Sequence, residues 1–237
     1  MGANATTKVP SYAAGQVLTA ADLSITNSGI PVFANSTDRT NSFGGTGEKT
    51  LAEGQFAYLE DDNKTYYYDG SSWIELGGAG LILISNTTIG SAVASVTVSS
   101  AFSSTYDNYR IILSGGVAST DTGLNMTLGA TATGYYWSYT GRSWAGGAAT
   151  GQGANSTSFA SIASSSTTAS HMIIDVCSPF LSKNTVVAGM NIYASTSGGQ
   201  YEYGGVLSNT TSYTAFTLTT QAGTLTGGTI QVFGYKN

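Results

Sequence analysis

Charge is what this chain has least of. Of its 237 residues only 9% are Asp, Glu, Lys or Arg, and there are one cysteine, one histidine and three prolines. A lone thiol cannot close an internal disulfide, so stability has to come from packing or association. Cys177 lies in the apolar run Met172-Ile173-Ile174-Asp175-Val176-Cys177 and reads as a small buried hydrophobe. The longest apolar run, Leu81-Ile82-Leu83-Ile84, is far too short to span a bilayer, so it reads as a strand and no membrane is expected as a partner. Residues 1–20 lack a basic start and a long apolar stretch, so no secretory leader is expected. Eight basic residues, unclustered and set against thirteen acidic ones, argue against a phosphate-gripping surface and hence against nucleic acid.

Catalytic groups are equally sparse. The single histidine, His171, opens an apolar strand with no oriented nucleophile near it in sequence. Glycoside cleavage needs two carboxyls facing one sugar bond, and residues 79–237 offer only Asp107, Asp121, Asp175 and Glu202, widely spaced. Glu60-Asp61-Asp62-Asn63 has consecutive rather than alternating acids and no central glycine, so it reads as a solvated turn and not a calcium loop. An enzyme is not expected, and neither is a cofactor or a metal.

What is present is strand chemistry. Thirty-one glycines accompany abundant Thr, Val, Ile and Tyr, which favours strands joined by glycine turns. The charge is also unevenly placed: nine acidic and four basic residues precede Gly77, giving −5, while four of each follow it and cancel. A long neutral stretch of Ser, Thr, Gly, Ala and Tyr is unusual for a solitary soluble chain. It suits a subunit whose surface is covered by copies of itself or by neighbouring proteins.

Three segments follow along the chain. Residues 1–30 form a docking segment, in which Thr19-Ala20-Ala21-Asp22 starts a short helix ending near Asn27-Ser28-Gly29; such a helix cannot persist alone in water. Its apolar Val17, Leu18 and Leu23 are the candidate docking contacts. Residues 31–78 form a small β-hairpin module with strands at 55–59, 65–68 and 73–76, closed by the joint Gly77-Gly78-Ala79-Gly80. Residues 79–237 form the main domain, with about ten short strands at regular spacing, the pattern of an all-β sandwich, jelly-roll-like in form. Within it, residues 141–170 are rich in Gly, Ala, Ser and Thr and read as a long loop region anchored by Trp144 and Phe159.

The aromatic cluster Tyr135-Tyr136-Trp137-Ser138-Tyr139, with Trp144, is the candidate binding site. In a strand Tyr135, Trp137 and Tyr139 share one face. That face either stacks on a sugar ring or other apolar ligand, or fills a core or subunit interface. Tyr193, Tyr201 and Tyr203, around Gly198-Gly199, pose the same choice.

Three stretches resemble structural proteins of tailed bacteriophages. Ala14-Gly15-Gln16-Val17-Leu18-Thr19-Ala20-Ala21-Asp22-Leu23 is similar to the opening segment of phage minor tail and fibre proteins. Residues 54–60 through Thr65-Tyr66-Tyr67-Tyr68-Asp69-Gly70-Ser71-Ser72-Trp73 resemble a hairpin module repeated in fibres and tail-tip proteins. Tyr106-Asp107-Asn108-Tyr109-Arg110-Ile111-Ile112-Leu113, with Ser178-Pro179-Phe180, looks like the C-terminal β domain that often follows. The resemblance implies a virion component with an N-terminal anchor and a distal β domain, usually trimeric, bound to other virion proteins and touching a host glycan or receptor. It leaves open a head fibre or capsid decoration protein, and brings no catalytic residues. A carbohydrate-binding module or polysaccharide-degrading spike is the rival from another class.

Overall fold

Strand accounts for 50% of the computed structural model and helix for 3%, so the fold is all-β. The structure describes residues 9, 11–19, 29–77 and 80–236, and it divides into two compact units, 1–78 and 79–237. Leu23 and the expected helix beyond Thr19 lie outside the described residues. Val17 and Leu18 are described, and both are exposed.

The N-terminal unit is a four-stranded sheet in the order β1 (Val32–Phe33), β2 (Phe56–Leu59), β3 (Lys64–Tyr68), β4 (Trp73–Glu75). The first pair is parallel and the others antiparallel. A short helix not expected from the sequence, α1 (Ser36–Asn41), connects β1 towards β2. It starts because the Asn35 side chain accepts the Asp38 amide hydrogen at 2.9 Å, satisfying a first-turn donor. Phe33, Ala57 and Leu59 form the core together with Val9, which is tied in by backbone bonds to Ser42 and Lys49. Arg39 is almost buried, its guanidinium 5.1 Å from the Tyr66 ring centre and 4.6 Å from that of Trp73. Stacking on two rings holds a charge that burial alone would disfavour.

The C-terminal unit holds fourteen strands among its described residues, more than the sequence pattern announces. In chain order they are β5 (Leu81–Thr88), β6 (Ser95–Val98), β7 (Asn108–Ser114), β8 (Val117–Ala118), β9 (Thr122–Leu128), β10 (Tyr135–Ser143), β11 (Ala148–Ser156), β12 (Phe159–Ser165), β13 (Ser170–Cys177), β14 (Thr185–Tyr193), β15 (Gly199–Leu207), β16 (Phe216–Thr220), β17 (Leu225–Thr226) and β18 (Thr229–Tyr235). Antiparallel pairing runs β11-β10-β15-β14-β13-β7-β18-β5 in one large layer and β12-β9-β16-β6 in a smaller one. The layers join where β12 and β13 pair only at Ser164–His171 and Ser165–Ser170 before parting. β8 and β17 make a separate short ladder.

The core lies between the layers. Tyr109, Ile111 and Leu113 of β7 are fully buried, as are Leu124, Met126 and Leu128 of β9, each alternating with outward residues at the period of two that a strand imposes. Phe102 links the two sides, its ring 4.9 Å from Tyr109 and 5.8 Å from Phe216. The expectation of a long loop over 141–170 is overturned: β10 runs on to Ser143, and β11 and β12 fill most of the rest. Small residues form strands here because large side chains from β10 occupy the space that they leave.

Candidate functional site

β10 bears the aromatic cluster, and its register shows how the rings are seated. Trp137 pairs with Gly153 of β11 and Gly205 of β15, and Tyr139 pairs with Gly151 of β11 and Tyr203 of β15. A Cβ on Gly153 would stand 2.5 Å from Trp137, and one on Gly151 would stand 2.4 Å from Tyr139. The rings therefore lie across the glycines, each supplying the side chain that its neighbour lacks. Tyr203, Trp137 and Tyr139 stack with planes within 12° of parallel, and Tyr201 meets Tyr139 edge-on at 5.8 Å between ring centres.

The structure does not bring the four sequence candidates into one surface. Tyr135 is fully buried and cannot touch a ligand. Its ring meets Phe159 edge-on at 4.8 Å, and its hydroxyl accepts the Leu128 amide hydrogen at 2.9 Å while donating to the Thr131 carbonyl at 3.1 Å. Trp137 and Tyr139 are half-buried and pack against the core on the inward side of the large layer. Trp144 is 54% exposed but belongs to the opposite side. There it lines a groove of about 390 Å³ with Thr140, Arg142, Gln200 and Glu202. The candidate cluster is thus a core residue, two seated rings and an exposed ring facing elsewhere.

Beyond Tyr139, where the smaller layer stops short of the larger, a pocket of about 280 Å³ opens. Tyr139, Tyr193 and Tyr201 supply its rings, and Asp121, Asn191 and Gln221 its charge and amides. Ser161 and Ser164 add hydroxyls. A bulge in β12 between Phe159 and Ala163, with Ser161 at φ +54°, turns that serine to the pocket side. Asp121 accepts from the Tyr193 and Ser195 hydroxyls, and these bonds hold its carboxyl below the usual range. Burial, and then the Asp121 carboxylate, push the Tyr193 phenol up to about 12. Asn191 is 3% exposed; its amide nitrogen donates to Ser164 at 3.1 Å and its Oδ1 has no partner in the protein.

Sequence reasoning reached Tyr139, Tyr193 and Tyr201 but not Asp121, Asn191 or Gln221, which come from β14 and from turns distant in the chain. One signal was available: glycines at period two, Gly151 and Gly153, match the aromatics at period two, Trp137 and Tyr139. Two such patterns close together in sequence describe a hairpin of rings on glycines.

Asp121, Asp175 and Glu202 do not converge. Asp175 is bound at two points by Arg110, at 2.8 Å each, and Asp121 and Glu202 belong to opposite faces of the large layer. No group of three or more His, Cys, Asp or Glu side chains suited to a metal ion occurs among the described residues. His171 is half-buried with Nδ1 unpartnered, and Cys177 is half-buried with its thiol pushed up by burial. No family model, curated protein or solved structure matches the chain.

Proposed function

We propose that this chain is a structural subunit of a tailed-bacteriophage particle, a fibre or tail-tip component that works by assembly and attachment. The observation that carries the reading is a large β layer that bears exposed apolar side chains on its outer side as well as the core on its inner one. Its inner side is the core described above. Its outer side presents Leu83, Tyr136, Ile173, Val186 and Met190, all exposed, on β5, β10, β13 and β14, of which β13 and β14 are adjacent. Arg110 and Asp175 amid them neutralise each other and are joined by the Tyr235 hydroxyl, which donates to Asp175 at 2.6 Å, while Glu202 stands opposite Met190. Large exposed apolar side chains recurring on one face of a sheet suit a surface that other subunits cover.

In this reading a homo-oligomer, a trimer as the resemblance implies, covers that surface. The chain crosses between layers at most of its connections, and on that ground we read the outward unit as a jelly-roll-like sandwich. The N-terminal unit, which carries the whole net charge, anchors it to other virion proteins. Val17 and Leu18 stand exposed in the segment that does so.

Two measurements test the proposal. Mass spectrometry of purified particles from the source that encodes the chain should find it at a fixed copy number, and immunogold labelling should place it on the tail. Labelling on the head would favour a head fibre, and absence from particles would overturn the reading. Separately, the purified chain should sediment as an oligomer at micromolar concentration, and Ile173→Asp combined with Met190→Asp should leave a folded monomer. A monomeric parent chain would remove the main support.

A further inference from the structure

The pocket bounded by Tyr139, Tyr193 and Tyr201 has a chemistry that narrows what it holds. Its single carboxylate, Asp121, already accepts hydrogen bonds from Tyr193 and Ser195, and no Lys or Arg lines the wall. An anion would meet Asp121 without a compensating cation. A divalent cation would find one carboxylate where such sites ordinarily supply several hard oxygens with net charge. What remains is neutral hydrogen-bonding capacity beside aromatic faces: the Gln221 amide nitrogen is spent on Asn125 and Ser161, at 2.8 and 3.0 Å, which leaves the amide oxygen and the serine hydroxyl hydrogens. Tyr139 and Tyr201 stand at right angles, 5.8 Å between centres, so together they make an apolar corner. Polar groups from Asn191, Gln221, Ser161 and Ser164 oppose that corner.

Asn191 adds a buried amide to the wall. Its Oδ1 is buried and lacks a partner, although the other end of the same amide is held by Ser164. A buried acceptor left unpaired costs free energy, so this side chain is held beside the pocket at a cost. The exposed side chains of Asp121 and Gln221 at the rim leave the route from solvent open. A volume of about 280 Å³ lies at the small end of ligand sites, enough for one ring and little more.

We propose that this pocket binds a single neutral sugar ring, such as the terminal hexose of a surface glycan. One apolar face of the ring sits in the corner made by Tyr139 and Tyr201. Ring hydroxyls accept from Ser161 and donate to the Gln221 amide oxygen and the Asp121 carboxylate. This deepens the attachment reading by naming its ligand class and rests on that reading for its biological meaning only; the chemistry stands on the pocket itself.

Saturation-transfer and titration NMR of the full chain with a panel of methyl hexosides tests the site, with glucuronate, sialic acid and calcium chloride run in parallel. A neutral glycoside is expected to bind saturably in the millimolar range. Tyr201→Ala should weaken it by about tenfold or more, a loss expected when a ring contact disappears. Ala149→Leu, which fills the pocket at a half-exposed wall residue without removing any core contact, should abolish binding at an unchanged melting temperature. Trp144→Ala, on the opposite side, should leave affinity as it was. Overturning results are a folded chain that binds no neutral glycoside, one that binds only the acids or calcium, or one whose binding survives Ala149→Leu. None of these would touch particle membership, which mass spectrometry reads by itself.

Discussion

Phe159→Ala is expected to destabilise the C-terminal unit by about 3–5 kcal/mol, the usual cost of deleting a fully buried aromatic ring. Phe159 begins β12, at the end away from the Ser164–Ser165 junction with β13, and pairs with Met126 of β9, so its ring fills space where the layers have already parted. It is 0% exposed, meets the Tyr135 ring edge-on, and sits so close under Gly205 that a Cβ there would come within 2.9 Å of it. Neither backbone can close the gap that alanine would leave, because Gly205 is held by its pairing with Trp137 and Val187. Tyr135 would also lose the wall that fixes its hydroxyl between Leu128 and Thr131. Denaturant unfolding followed by tryptophan fluorescence and by circular dichroism measures the loss. A cost below about 1 kcal/mol would mean that the layers do not pack on this ring.

The same region marks how far the sequence was legible. Where one face is apolar and the other polar, as in Tyr109-Arg110-Ile111-Ile112-Leu113 and Asn125-Met126-Thr127-Leu128, alternation placed both the strand and its buried side. It failed in two physical situations. In β11 the large side chains that mark a strand are supplied by β10 across the ladder, so Gly151-Gln152-Gly153 looks like a turn when read alone. In β13 and β14 both faces are apolar, and Ile173, Ile174 and Val176 do not declare which side meets the core. The structure shows Ile174 and Val176 inward and Ile173 outward. The all-β class was therefore readable from composition and turn spacing, whereas the number of strands and the inward face were set by neighbours far along the chain. The pocket was the least legible part. Asp121, Ser161, Asn191 and Gln221 are ordinary polar residues locally, and only the splaying of the layers gathers them beside Tyr139 and Tyr201.

Raising the pH from about 10 to about 12 is expected to destabilise the chain markedly, because the folded state holds the protons of its buried phenols more tightly than the unfolded chain does. Burial pushes Tyr135 up to about 12, against the opposing hydrogen bond from the Leu128 amide. Burial alone moves Tyr203 upward as well, and Tyr193 and Tyr235 reach about 12 through burial and then the carboxylates of Asp121 and Asp175. The unfolded chain releases these protons near pH 10, whereas the folded chain keeps them. Between the two values the unfolded state binds fewer protons, so stability falls as pH rises. The contribution is complete below pH 10 and is lost through the folded value. For the fully buried Tyr135 it amounts to about 2–3 kcal/mol; the partly exposed Tyr193 and Tyr235 add less because solvent screens them. Tyr203→Phe separates this effect from ordinary loss of packing. Its hydroxyl donates to the Ala160 carbonyl at 3.1 Å, so at neutral pH the variant should be less stable by about 1 kcal/mol. Above pH 10 it has one phenol fewer to ionise, and its melting temperature should fall less steeply than that of the parent chain, so the two curves converge. Parallel curves, or tyrosinate absorbance that titrates fully before unfolding begins, would show that these phenols are reached by water in the folded state.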